Sequence, residues 1–226
     1  MRDNMVTKNV ANHISEKLNG NNNFARAEAA HCKLSEEEAS KLLSDPAKNV
    51  RLVVVKVQAL THDQVSAVLK GETEPEVKKT LVRYQKLDEQ QIGMAIRDSS
   101  AEVAIATITV HQLTKLQAEE TLSRKEPEIR VATLTHQKNL PVEIIGMGLV
   151  DDSPSVRIAT VEHQKLTGSL TDNALSDENA HVRRQAVIYQ KLNENQAKKA
   201  RSDPDRYVRE AAKEHHKISL FKRMFR

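Results

Sequence analysis

The chain has 226 residues, of which 38% are hydrophobic and 3% aromatic, with no Trp and six each of Gly and Pro. That is too few large side chains for a thick globular core and too few turn formers for a β-rich fold, so a thin stack of helices packed through small and β-branched residues is expected. The net charge of +4 is confined to residues 217–226, where Lys217, Lys222, Arg223 and Arg226 stand without an acid; residues 1–216 are balanced.

In chain order, the first segment places Val10, Ile14 and Leu18 at helical spacing. It is expected to form a capping helix and turn over residues 1–23, with Gly20 to Asn23 making the turn into the next helix. Met1 to Lys8 has no apolar centre, so no signal peptide is expected. No run approaches the ~18 apolar residues of a membrane span. The single cysteine, Cys32, leaves no internal disulfide and no multi-cysteine metal site, and fits a reduced cytoplasmic setting.

From residue 24 to 218 the chain repeats itself. A short apolar residue, most often followed by a cation, recurs at Val50, Val77, Val103, Ile129, Val156, Val182 and Val208, spaced 26 or 27 residues apart, and Phe24 extends the series to eight anchors. Ten or eleven residues after each anchor stands Leu34, Leu60, Leu87, Leu113, Leu140, Leu166, Leu192 or Ile218. Ser35, Thr61, Asp88, Thr114, Thr167 and Asn193 come next as helix-capping residues, while Pro141 suits a helix's first turn. A helix of about ten residues succeeds the cap, then an Asp- and Pro-bearing turn such as Ser44-Asp45-Pro46, and the next anchor opens a second helix. Neither helix passes the ~12–15 residues at which an isolated helix becomes marginal in water, so each must be held by its neighbours.

The run Leu175 to Val187, with Val182-Arg183 at its centre, and its partner from Asp203-Pro204 to Val208-Arg209 resemble HEAT-like repeats, and the short period is similar to the leucine-rich repeat variant branch. The resemblance implies an all-α, right-handed α-solenoid of about eight two-helix repeats. It also implies that the second helices line a concave groove. Iron–sulfur ligation, known in that branch, needs a cysteine cluster that is absent here, so no cofactor and no metal are expected.

Counting the anchor as position 0, helical geometry puts positions 0, 3, 4 and 7 on one apolar face. The His or Tyr at position 7 is expected half-buried against a turn carbonyl. The Gln at position 8 is expected to form a ladder from repeat to repeat. The cation at position 1 recurs with an acid five residues before the anchor and is expected to tie the turns together. Asp98 without a cation at Ala104, and Arg130 without an acid at Arg124, break the pattern.

Positions 2, 6 and 9 face away from that core. Ile105, Val131 and Ile158, with Thr109 and Thr135, make an uncharged stripe expected to bind a macromolecular partner, another protein first. Lys33, Lys86, Lys138, Lys165, Lys191 and Lys217 form a row at position 9. With Lys222, Arg223 and Arg226 of the amphipathic tail (219–226), they offer the alternative of phosphate contacts and nucleic-acid binding. No phosphate loop, zinc motif or nucleophile elbow occurs, so no catalytic residue and no enzyme activity are expected.

Overall fold

A computed structural model describes residues 16–214. Val10, Ile14, Lys217, Lys222, Arg223 and Arg226, and with them the proposed tail, lie outside the described residues.

Among the described residues the regular elements are all helices. Residues 16–19 (α1) precede α2 (Asn23–Ala29), α3 (Glu36–Leu43), α4 (Lys48–Val57), α5 (His62–Gly71), α6 (Pro75–Tyr84), α7 (Glu89–Ile96), α8 (Ala101–Val110), α9 (Lys115–Leu122), α10 (Pro127–His136), α11 (Val142–Leu149), α12 (Pro154–His163), α13 (Gly168–Ala174), α14 (Ala180–Tyr189) and α15 (Glu194–Arg201), and residues 206–214 form α16. The even helices carry the anchors. The odd helices begin at the expected caps, and Ser35, Thr61, Asp88, Thr114 and Asn193 each accept from the backbone N–H three residues on while the Glu or Gln there reaches back. Thr167 occupies the same place without a capping bond, and Pro141 precedes the first turn of α11 rather than entering it.

The chain divides into two compact units at His111. In the first, α2, α4, α6 and α8 pack side by side in sequence, and α3, α5 and α7 each rest on the even helix that comes after. In the second, α10, α12 and α14 form such a row beside α9, α11 and α13, which pack in order on one another. Each unit is a two-row α-solenoid stack. Its core is the seam between the rows: Val50, Val54, Val77 and Leu81 in the first unit, Ile129, Leu134, Val156 and Val161 in the second, all essentially sealed from water. Each such aliphatic side chain contributes roughly 1.5–3 kcal/mol of burial. Leu18 of α1, 5% exposed, joins Ala29, Ala30, Leu42, Val50 and Val54 in one cluster.

Two 27-residue spacings need an extra residue, and the structure shows where each goes. Between Val50 and Val77 it lengthens α5 to 10 residues. Between Ile129 and Val156 it sits at Asn139, whose φ of 55° is left-handed, a conformation Asn tolerates better than most residues. At Gly148 of α11 the rows come too close for a side chain, because a Cβ there would lie 2.4 Å from the Thr160 hydroxyl and 2.9 Å from Leu134.

Two expectations are corrected. Position 7 is not core: Val57, Tyr84, Val110 and Tyr189 are 40–56% exposed, and His31, His136 and His163 are exposed too. The buried arc is centred on positions 0, 4 and 5, which puts position 7, the last residue of a ten-residue even helix, on its flank. Phe24 is not the first anchor, being 75% exposed. Arg26 takes the cation's role in α2, so the register there begins one residue later, at Ala25.

Candidate functional site

Most recurring polar residues are consumed within the stack. At position 8 the chain leaves the even helix in extended conformation, turning the side chain back along the row. Gln85 donates to the carbonyls of Val55 and Gln58, both at 2.8 Å, and accepts from the Leu60 N–H. Gln190 does the same with Val161, Gln164 and Leu166. Gln58 and Gln164 repeat the pattern, and His111, in the same place, puts Nε2 2.7 Å from the Val82 carbonyl. Carbonyls left open at helix ends are thereby satisfied.

A second glutamine ladder, not anticipated from the sequence, runs along the odd row. Gln64 donates to the Glu36 carbonyl and the Ser40 hydroxyl, Gln91 to the His62 carbonyl and Ser66, and Gln196 to the Gly168 carbonyl and Asp172. Its signal was present as a capping residue with Gln three positions later, at Thr61, Asp88, Thr114 and Asn193.

The charged column is broken only at Ala104 among the described residues 26–183, and it runs forward. Arg51 pairs with Glu72 through Nε at 2.6 Å and Nη2 at 3.0 Å, while its Nη1 donates to the Asp45 carbonyl at 2.7 Å. Arg51 therefore holds its own turn by the backbone and the next turn by the carboxylate. Arg26 with Asp45, Lys78 with Asp98, Arg130 with Asp151, Arg157 with Asp177 and Arg183 with Asp203 show the same forward pairing. The acid also fixes the turn before the next even helix, as Asp151 does by accepting from the Ser153 N–H. Asp98 and Arg130, expected to be unpaired, each have a partner.

Burial alone would push up the Asp45, Glu72, Asp151 and Asp203 carboxyls. The guanidinium hydrogen bond to each, with the nearby N–H groups and positive charges, outweighs that and holds them below their usual range. The paired Arg26, Arg51, Arg130, Arg157 and Arg183 are raised, chiefly by the same hydrogen bonds.

What remains is the outward surface of the even row. Ile105 is half-buried and Thr109 exposed on α8 of the first unit; Val131 and Thr135 on α10 and Ile158 on α12 of the second unit are half-buried. Because α10 and α12 pack together, Val131 and Ile158 occupy equivalent places on neighbouring helices. Lys33 and Lys86 in the first unit and Lys138, Lys165 and Lys191 in the second are all exposed. A cleft of about 550 Å³ in the first unit, not foreseen from the sequence, is lined by Ser40, Leu43, Gln64 and Gly71 with the Arg51–Glu72 pair beside them. No described helix is long and apolar enough to cross a membrane, and no three His, Cys, Asp or Glu among the described residues gather to hold a metal.

This arrangement defines a helical repeat protein. A solved structure titled a leucine-rich repeat variant with a novel repetitive protein structural motif has the same fold: the TM-score is 0.70 at 21% identity, over 90% of this chain and 80% of that one. No protein-family model and no curated protein matches the chain.

Proposed function

We propose that the chain is a non-catalytic binding scaffold that receives a protein partner on the even-helix surface. Val131, Thr135 and Ile158 of the second unit form its best-defined part, and Ile105 and Thr109 hold the equivalent places in the first. One observation carries the reading. The recurring glutamine, arginine and acidic side chains are spent on ladders, and no buried side-chain polar atom among the described residues lacks a partner, whereas positions 2 and 6 of α10 and position 2 of α12 present uncharged side chains that no ladder uses. No cofactor enters the reading, and the single half-buried Cys32 suits a reducing compartment.

The test is partner capture by the whole chain before and after Val131→Glu. At a half-buried position the substitution is expected to leave helical circular dichroism intact and to abolish capture of proteins identified by mass spectrometry. Undiminished capture would remove this surface from the proposal. The exposure of the five described lysines of position 9 supports a second reading, contact with nucleic-acid phosphates; the oligonucleotide arm of the experiment below addresses it.

A further inference from the structure

Cations on the even helices of the first unit fall into two sets. Toward the helix N-termini each has a carboxylate: Lys48 pairs with Glu76 at 2.9 Å, Arg51 with Glu72, Lys78 with Asp98 at 2.7 Å, and Lys79 with Glu102. Toward the C-termini none does. Residues 30–33, 56–59, 83–86 and 109–111 contain Lys33, Lys56, Arg83 and Lys86, two histidines and no acid, and all four cations are exposed. Of the acids nearby in the chain, Glu28 in α2 pairs with Lys17 at 2.9 Å, and the rest begin the odd helices: Glu36, Glu37 and Glu38 in α3, Asp63 in α5, and Asp88 and Glu89 at the start of α7. The edge is thus divided, basic along the even row and acidic along the odd row.

Between the free cations lie exposed apolar side chains in successive repeats, Val57 at 40%, Tyr84 at 55% and Val110 at 49%. The rows interlock, because Lys56 reaches over the Tyr84 ring of the next helix, 5.4 Å from its centre. Glutamine ladders fix the backbone beneath, with Gln58 holding the Cys32 carbonyl at 2.8 Å on one side of Lys33 and the Leu34 N–H on the other.

We propose that this edge of α2, α4, α6 and α8 binds an extended, acidic peptide segment in polyproline II conformation, with an acid at every third residue. The charge calls for an anion, and the spacing selects its form. Packed helices lie ~8–10 Å apart, and a polyproline II chain rises ~3.1 Å per residue with three residues per turn. Its every third side chain therefore returns to one face after about 9 Å, one acid per repeat, and the intervening residues lie over Val57, Tyr84 and Val110. Two of those three contacts are aliphatic and the single ring already carries Lys56 on its face, so the edge fits peptide side chains rather than stacked bases. The inference rests on the scaffold reading and deepens it by naming a partner class for the helix ends of the first unit, with no part assigned to Val131.

The test uses the whole chain and fluorescence anisotropy of a labelled peptide of about five Glu-Pro-Pro units. Glu-Pro and Lys-Pro-Pro peptides of equal length and a single-stranded oligothymidine of matched charge serve as comparisons. Glu-Pro-Pro is expected to bind most tightly. Reversing two charges, Lys56→Glu with Arg83→Glu, should weaken it at least about tenfold, and Val131→Glu should leave it unchanged. Lys33→Ala with Lys86→Ala, both exposed and outside the seam, should weaken it about threefold and covers the case in which charge reversal disturbs folding. The proposal is overturned if Glu-Pro-Pro binds no better than Glu-Pro or Lys-Pro-Pro, if both double variants bind like the wild type, or if the oligonucleotide binds more tightly. Loss of capture by Val131→Glu with peptide binding intact supports both surfaces; the reverse pattern separates their failures.

Discussion

Gln190 donates to the carbonyls of Val161 and Gln164 and accepts from the Leu166 N–H while being 7% exposed. Leucine has nearly its volume but no polar group, so Gln190→Leu leaves two carbonyls and an N–H without partners. An unsatisfied buried group costs ~1–3 kcal/mol, and with water reaching part of the rim the expected loss is about 2–4 kcal/mol in urea denaturation. Gln190→Glu keeps the acceptor and loses both donors at neutral pH, so it should fall in the same direction. A change under ~0.5 kcal/mol in both would mean that water replaces the ladder. This ladder was legible in the sequence because its glutamine recurs at one place in five of the eight repeats. The function of position 7 was not: the 100° rule assigns a face, but not whether the neighbouring row extends far enough to cover it, and His31, Tyr84 and His163 stand beyond that cover.

The charged column shows what periodicity reveals about an element and what it leaves open. Both columns, cation and acid, are visible as spacings, but spacing does not say whether a cation turns to the acid of its own repeat or to that of the next. Read within one repeat, Asp98 and Arg130 are exceptions; paired forward, Lys78 meets Asp98 and Arg130 meets Asp151. By the same forward register Ala104 and Arg124 are the two halves of one pair, absent together, as expected when one buried charge without its partner costs more than losing both. The column also sets the response to acid. Asp45, Glu72, Asp151 and Asp203 ionise below their usual range in the folded chain, so the stability they add is full above the unfolded carboxylate value of about 4 and drains as pH falls through the lower folded values. Helical circular dichroism should therefore hold at about pH 5 and collapse below about pH 3–4. Asp203→Asn should be less stable at neutral pH and show a shallower fall over that interval. Equal stability of the wild type at pH 3 and 7 would contradict this account.

Across the molecule, the described bonds that join one repeat to the next link residues roughly one period apart, such as the 20 between Arg183 and Asp203 and the 29 between Gln190 and Val161. A fold made of such local links is written almost wholly in its spacings, which is why the two-helix unit, its caps and most of its anchors could be read from the chain. The proposed partner could not, because Val131, Thr135 and Ile158 belong to no ladder and no spacing within the chain fixes what would meet them. The same locality predicts which deletions the fold will bear. Removing residues 154–179, 26 in number, joins Ser153 to Ala180 in the register that Ser153 had with Pro154. Arg183 then finds the Asp151 carbonyl in place of that of Asp177, Gln190 finds Leu134 and Gln137 in place of Val161 and Gln164, and Gly148 faces Ala186 rather than the crowding Thr160. The Gln196 bond to Asp172, the Lys199 bond to Ser176 and the cap that Asn179 gives the His181 N–H have no replacement. Stability in such arrays is a sum of repeats and their interfaces, so the shortened chain should keep its mean residue ellipticity and a cooperative urea transition, with a smaller m value and a lower midpoint. Removing half as much, residues 154–166, brings an odd helix into the even row and should abolish cooperative unfolding. If both deletions fold alike, or the 26-residue deletion alone fails, the repeat is not the unit that stabilises this protein.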